Sequence, residues 1–91
     1  MMITLGFTFS YSDLVVPDTS FPYQSSYIYI GDGGAGDVVY LAQDGTAQWV
    51  QGAGVGYNPI ATTKVLSTGV VNGVERTTTA TEMVYCCAPT Y

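Results

Sequence analysis

From Tyr27 to Leu66 the chain alternates short apolar and aromatic runs with glycine-rich or Asp-Gly breaks. The runs are Tyr-Ile-Tyr-Ile, Val-Val-Tyr-Leu, Ala-Gln-Trp-Val and Thr-Lys-Val-Leu. Successive side chains of a strand leave on opposite faces, so a period of two marks a strand with one buried side. The pattern predicts strands over 27–30, 37–42, 46–51 and 60–68. Residues 2–10 alternate as well, with Ile3, Leu5, Phe7 and Phe9 on one side and Thr4, Gly6, Thr8 and Ser10 on the other. Residues 70–76 carry Asn72-Gly73, the strongest short hairpin signal in the chain. Thr-rich alternation over 77–87 forms a last strand, and Ala88-Pro89-Thr90-Tyr91 is a tail.

The breaks are turn chemistry. Asp44-Gly45 marks a tight hairpin, and Gly31 to Gly36 is a turn tolerant of positive φ. Gly52 to Gly56 is a second flexible link before Tyr57-Asn58-Pro59. Residues 11–26 follow no period. Pro17 and Pro22 each remove a donor and favour extended backbone before them. This stretch is expected to be a long extended arm or loop anchored by Leu14, Val15, Val16 and Phe21. It is a candidate for lying on a neighbour, or for crossing between two sheets. No capped segment of helical period occurs. The expected fold is all-β: one domain over 1–91, a small antiparallel β-sandwich or barrel-like unit of about six to eight short strands. The middle four strands are expected to run as an up-and-down meander.

Composition sharpens this picture. The chain has 91 residues, near the lower end of what folds alone, and buries a modest core. Apolar residues make up 47% but charged residues only 10%, so little charge is present to keep a lone subunit apart from its neighbours. The polar surface must come from Thr, Ser, Gln, Asn, Gly and backbone, which suits packing inside an assembly. Net charge is −5, and Lys64 and Arg76 are the only cations. Nucleic-acid binding needs many Lys/Arg–phosphate contacts, so direct DNA or RNA binding is not expected. Attachment to a membrane through basic residues is not expected either, and no apolar run approaches the ~18 residues of a membrane span. The start of the chain lacks the basic and continuous apolar regions of a signal peptide, so synthesis and retention in a cytoplasm are expected until assembly or release.

Candidate chemistry is sparse. Gly31-Asp32-Gly33-Gly34-Ala35-Gly36 resembles a phosphate loop only in glycine content. A strand follows it instead of a helix, and its aspartate repels phosphate. Asp32, Asp37 and Asp44 lack the spacing of a calcium loop and read as turn residues. Glu75 and Glu82 are not paired by any pattern, and there is no histidine for a triad or a zinc site. Neither an enzyme nor a cofactor is expected. Cys86 and Cys87 are adjacent, which disfavours a bridge between them. They read as small buried apolar side chains, with a bridge between subunits as the alternative.

The order of motifs adds a resemblance. Tyr-Ile-Tyr-Ile-Gly at 27–31, Gly36-Asp37-Val38-Val39, Asp44-Gly45-Thr46, Gly54 with Pro59, Val65-Leu66-Ser67-Thr68-Gly69, and Thr78-Thr79-Ala80-Thr81 before a hydrophobic close follow one another. Over residues 21–87 this resembles a family of small tailed-bacteriophage virion proteins, with relatives at the base of head spikes in gene transfer agents. Here Val70 to Arg76 is inserted, and the basic residues before the Val-Leu pair are reduced to Lys64. The resemblance implies a structural role on the capsid surface of a virion: a capsid decoration (cement) protein, or a spike-base subunit at a vertex. The implied partners are identical subunits in a trimer or pentamer, the major capsid protein, and in some cases a spike fibre.

Within that reading, Phe21, Trp49, Tyr57 and Ile60 are the candidate subunit contacts, because aromatic and large aliphatic groups dominate such interfaces. A tail or baseplate component is the alternative within the same class. A glycan-binding receptor module, with Trp49 and the eight tyrosines as stacking platforms, is the alternative from another class.

Overall fold

A computed structural model describes residues 11–88. The strand expected over 2–10 and the tail beyond Ala88 lie outside the described residues. Among these, the chain forms nine short strands: β1 (Tyr11–Leu14), β2 (Tyr27–Ile30), β3 (Gly36–Leu41), β4 (Ala47–Ala53), β5 (Gly56–Asn58), β6 (Val65–Leu66), β7 (Thr68–Val71), β8 (Val74–Thr77) and β9 (Met83–Cys87). All of their pairings are antiparallel. The protein is a small all-β domain.

The strands form a four-stranded sheet in the order β1-β9-β2-β5, a three-stranded sheet β4-β3-β6, and the hairpin β7-β8. The expected meander is therefore corrected. β2 and β3 are neighbours in sequence but belong to different sheets, and β2 pairs with β9 and β5. The two larger sheets share one core. Ile28 and Ile30 of β2 and Met83, Tyr85 and Cys87 of β9 meet Val38 of β3 and Val65 of β6, with Phe21, Ala53, Ile60 and Ala80 filling between. Ile28, Ile30, Val38 and Val65 have no exposed surface. Removal of apolar area from water on this scale drives a domain so short of charge to fold.

The Gly31–Gly36 turn carries the chain from one sheet to the other, and close approach matters there more than φ. A Cβ on Gly34 would collide with the Thr81 carbonyl, and one on Gly36 would lie 2.7 Å from Thr79 Oγ1. The crowding comes from residues 78–82, which are not the continuous strand expected over 77–87. Their threonines bond to the sheet through side chains. The Val39 amide donates to Thr78 Oγ1 at 2.8 Å, Thr78 Oγ1 donates to the Leu66 carbonyl at 2.6 Å, and the Asp37 amide donates to Thr79 Oγ1 at 2.8 Å. Regular strand resumes only at Met83, after Glu82 at φ 51°.

The strand expected over 60–68 is likewise cut short. Thr62 is buried, and its Oγ1 lies 2.6 Å from the Leu41 carbonyl and 3.0 Å from the Lys64 carbonyl. Ser25, also buried, donates from Oγ to the Ile60 carbonyl at 2.8 Å and accepts from the Thr62 amide at 3.1 Å. Side chains thus satisfy backbone groups that a ladder would otherwise pair.

The segment 11–26 divides in two. Its first residues are β1, at the edge of the four-stranded sheet. The remainder bridges the two sheets of its own domain. The Val15 amide donates to the Met83 carbonyl, Asp18 to Val65, Phe21 to Thr63, Ser25 to Thr62 and Ser26 to Cys86, at 2.7–2.9 Å. The crossover reading describes it, and its backbone is held by its own chain.

Turn chemistry sets the hairpins. Val71 opposes Val74, with Asn72 at φ 51° and Gly73 at φ 79°, the two left-handed positions of a type I′ turn. Between β3 and β4, the Asp44 carboxylate accepts from the Thr46 amide at 3.0 Å and hydroxyl at 2.6 Å. Asp37 accepts from the Gly52 amide at 2.8 Å where the β3–β4 register shifts, so it pins the irregularity in β4.

Candidate interaction surface

Each of the two larger sheets turns one face to the core. Their outer faces differ. On the three-stranded sheet, Val39, Trp49, Ala47 and Leu66 point outward, and the β7-β8 hairpin covers them. Gly69 sits so close that an added Cβ would lie 2.9 Å from Ala47 Cβ and 3.1 Å from Val39 Cγ1. Val39 is completely buried although it stands outside the main core cluster. The Arg76 guanidinium lies 3.9 Å from the centre of the Trp49 ring. The covering segment is the stretch 70–76 that departs from the resembled family, together with the residues flanking it.

The four-stranded sheet has no such cover among the described elements. Its register aligns one residue from each strand in a row across the outer face: Leu14 beside Val84, Val84 beside Tyr29, Tyr29 beside Tyr57. Leu14 is 68% exposed, Tyr29 36% and Tyr57 48%, and Val84 is half-buried. The adjacent row is Ser12, Cys86 and Tyr27. None of these side chains is charged, in a chain of net charge −5. Tyr57 packs against Tyr29 with ring centres 4.9 Å apart and meets Tyr27 edge-on at 6.1 Å, so the aromatic end of the face is braced.

The four sequence candidates separate on this geometry. Tyr57 lies in the exposed row. Trp49 is half-buried between the three-stranded sheet and Arg76, so its ring is not an open stacking platform. Phe21 and Ile60 belong to the core of their own chain, at 7% and 3% exposure. Phe21 stacks on Tyr85 at 3.9 Å with an interplanar angle of 9°. Both are corrected as surface contacts, because a side chain already enclosed by its own domain has no area left to bury against a partner. Leu14, Tyr29 and Val84 were missed. For Tyr29 the signal was the Tyr-Ile-Tyr-Ile alternation, which separates two faces without saying which is outward.

A second aromatic series runs inward on the core side of β1. Tyr23 meets Tyr11 edge-on at 5.3 Å, Tyr11 stacks on Tyr85 at 5.9 Å, and Tyr85 stacks on Phe21. Burial, with the hydrogen bond to Tyr11 second, pushes the Tyr85 phenol up to about 12. The thiols of Cys86 and Cys87 belong to buried residues. Burial raises both, and Cys87 adds to the effect at Cys86. Raised thiols are poor nucleophiles, which agrees with the packing role read from sequence. A shallow cleft of about 260 Å³ lies beside the β3–β4 turn, lined by Gln24, Leu41, Gln43, Thr62 and others, none of them charged.

Comparison with family models, with curated proteins and with solved structures returns no match to this chain.

Proposed function

We propose that this chain is a non-enzymatic structural virion protein, a capsid decoration or vertex spike-base subunit that assembles with identical copies on a phage head. The observation that carries the reading is the outer face of the four-stranded sheet, uncovered among the described residues, with its uncharged row of Leu14, Val84, Tyr29 and Tyr57. Water leaves such a row at a gain of about 25 cal/mol for each Å² of apolar surface covered. Neighbouring copies can cover it without bringing two acidic surfaces together. The order of turn motifs over 21–87 supplies the phage-head setting, with the major capsid protein as the second partner and a spike fibre as a third. Each copy then acts by adding buried area at subunit and shell contacts, and many weak contacts add up over a symmetric lattice.

The test uses purified full-length protein and capsids of the particle that encodes it, prepared without this subunit. The subunit is expected to co-sediment with capsids at saturable stoichiometry and to appear on the capsid surface by imaging. Binding confined to tails would reassign it to the tail or baseplate. Binding to host polysaccharide with none to particles would reject the structural reading in favour of a receptor module.

A further inference from the structure

We infer that the outer face of the four-stranded sheet pairs with the same face of a second copy, about a two-fold axis parallel to the strands. The inference rests on the self-assembly reading above and adds the surface, the partner and the symmetry. The charge distribution argues for a second copy. A chain of net charge −5 repels itself wherever its carboxylates face each other, and the two rows of this face carry none. Asp13, between Ser12 and Leu14 on β1, pairs with Tyr85 in register and points to the core side, where Tyr85 is buried.

The symmetry follows from the heights of the side chains. Across the sheet the row reads Leu14, Val84, Tyr29, Tyr57, shorter aliphatic groups on one half and taller rings on the other. Strands about 4.8 Å apart spread it over about 14 Å. A two-fold axis along the strands places Leu14 over the second copy's Tyr57 and Val84 over its Tyr29. Short then meets tall at each position, and the two sheets pack level. An axis across the strands would put Tyr57 on Tyr57 and Leu14 on Leu14, opening a gap at the aliphatic half. Close packing favours the first arrangement.

A four-stranded face of this length buries less than the ~1,200 Å² total typical of stable complexes, so the pair is weak, with a dissociation constant on the order of 100 μM. The contact closes at two copies, so any ring of three or five draws on another surface.

The test is sedimentation velocity of the full chain from about 10 μM to 1 mM, with circular dichroism to confirm folding of each variant. Wild type is expected to shift from monomer to dimer over that range. Leu14→Lys and Tyr57→Glu alone should each weaken pairing at least about tenfold, by placing an unpaired charge in the contact. The double variant Leu14→Lys/Tyr57→Glu should regain dimer, because each introduced ammonium then faces an introduced carboxylate of the second copy. Ser12→Arg, in the adjacent row, checks the face without altering the main row and should also suppress pairing. A wild type monomeric at 1 mM, single variants that pair as wild type does, or a double variant that stays monomeric would each overturn the inference. Capsid binding is read separately. A wild-type monomer that still decorates capsids removes this contact and leaves the structural reading standing, whereas a dimer with no affinity for capsids does the reverse.

Discussion

The Arg76 guanidinium covers the Trp49 ring at 3.9 Å, and the indole Nε1 and the guanidinium Nε at this contact are both buried with no hydrogen-bond partner among the described residues. The packing therefore accepts two unsatisfied donors. What offsets them is the ring face, whose negative quadrupole attracts the cation, and the apolar stem of Arg76 lying over the sheet. Trp49 is the only tryptophan, so its emission reports on this contact alone. Arg76→Ala should shift that emission to longer wavelength as water reaches the ring, and should lower stability by about 1 kcal/mol. An unchanged spectrum would mean that the hairpin does not depend on the arginine for its seat.

Gly69 is the second seat of the hairpin. An added methyl would meet Ala47 Cβ at 2.9 Å and Val39 Cγ1 at 3.1 Å, closer than such atoms settle. Gly69→Ala should cost about 1–3 kcal/mol by overpacking. Ala47→Gly in the same chain removes the nearest obstacle and should recover part of that loss. Denaturant melts of the two single variants and the double give the coupling directly. Strict additivity would show that the two residues do not share the contact.

The contact between Gly69 and Ala47 also marks where sequence reading stops. Alternation identified 27–30 as a strand, and Asn72-Gly73 located the β7-β8 turn, because both signals lie within a few neighbouring residues. The three residues of β5 carry no alternation beyond Gly-Tyr-Asn, so that strand was hidden in a glycine-rich link. Which sheet a strand joins is settled by packing between distant segments. The pattern could not say that β2 and β3 face each other across the core. Phe21, Ile60 and Tyr57 are comparable as hydrophobic letters, and only the assembled core separates the first two from the exposed third. The Leu14–Val84–Tyr29–Tyr57 row draws on four separate segments, so it exists only once register is known.

Thr62 ties three segments together from a buried position. Its Oγ1 lies within hydrogen-bond distance of the Leu41 and Lys64 carbonyls and accepts from the Lys64 amide at 3.2 Å. Thr62→Val keeps the shape and removes the hydroxyl, leaving these buried backbone groups unpaired at a cost of about 1–3 kcal/mol. Thr62→Ser should retain most of the stability, since the bonding atom remains. Thermal melts of the pair separate lost hydrogen bonding from lost packing. Equal losses would assign the effect to the methyl group.

Asp18 gives the domain a dependence on acid. It sits at φ 65°, a left-handed position, and its carboxylate accepts from the Ser67 hydroxyl at 2.6 Å and the Ser67 amide at 3.0 Å. The Ser67 side chain is the main cause holding the carboxyl below its ordinary value, with the Ser67 amide second, against a smaller desolvation effect that raises it. Asp44 is lowered in the same way by Thr46. A depressed carboxyl stabilises the fold while ionised. Its contribution is complete above the unfolded value of about 3.9, and is lost as pH falls through the lower folded value. Asp18→Asn tolerates the left-handed backbone but surrenders the charge. It should be less stable than wild type at neutral pH, and the difference should close as pH falls below about 4. Ser67→Ala, which removes the donor instead, should flatten the same acid limb. Denaturation midpoints measured from neutral pH down through the carboxylate range decide the matter, and a gap between wild type and Asp18→Asn that stays constant over that range would show that the effect of Asp18 is not carried by its charge.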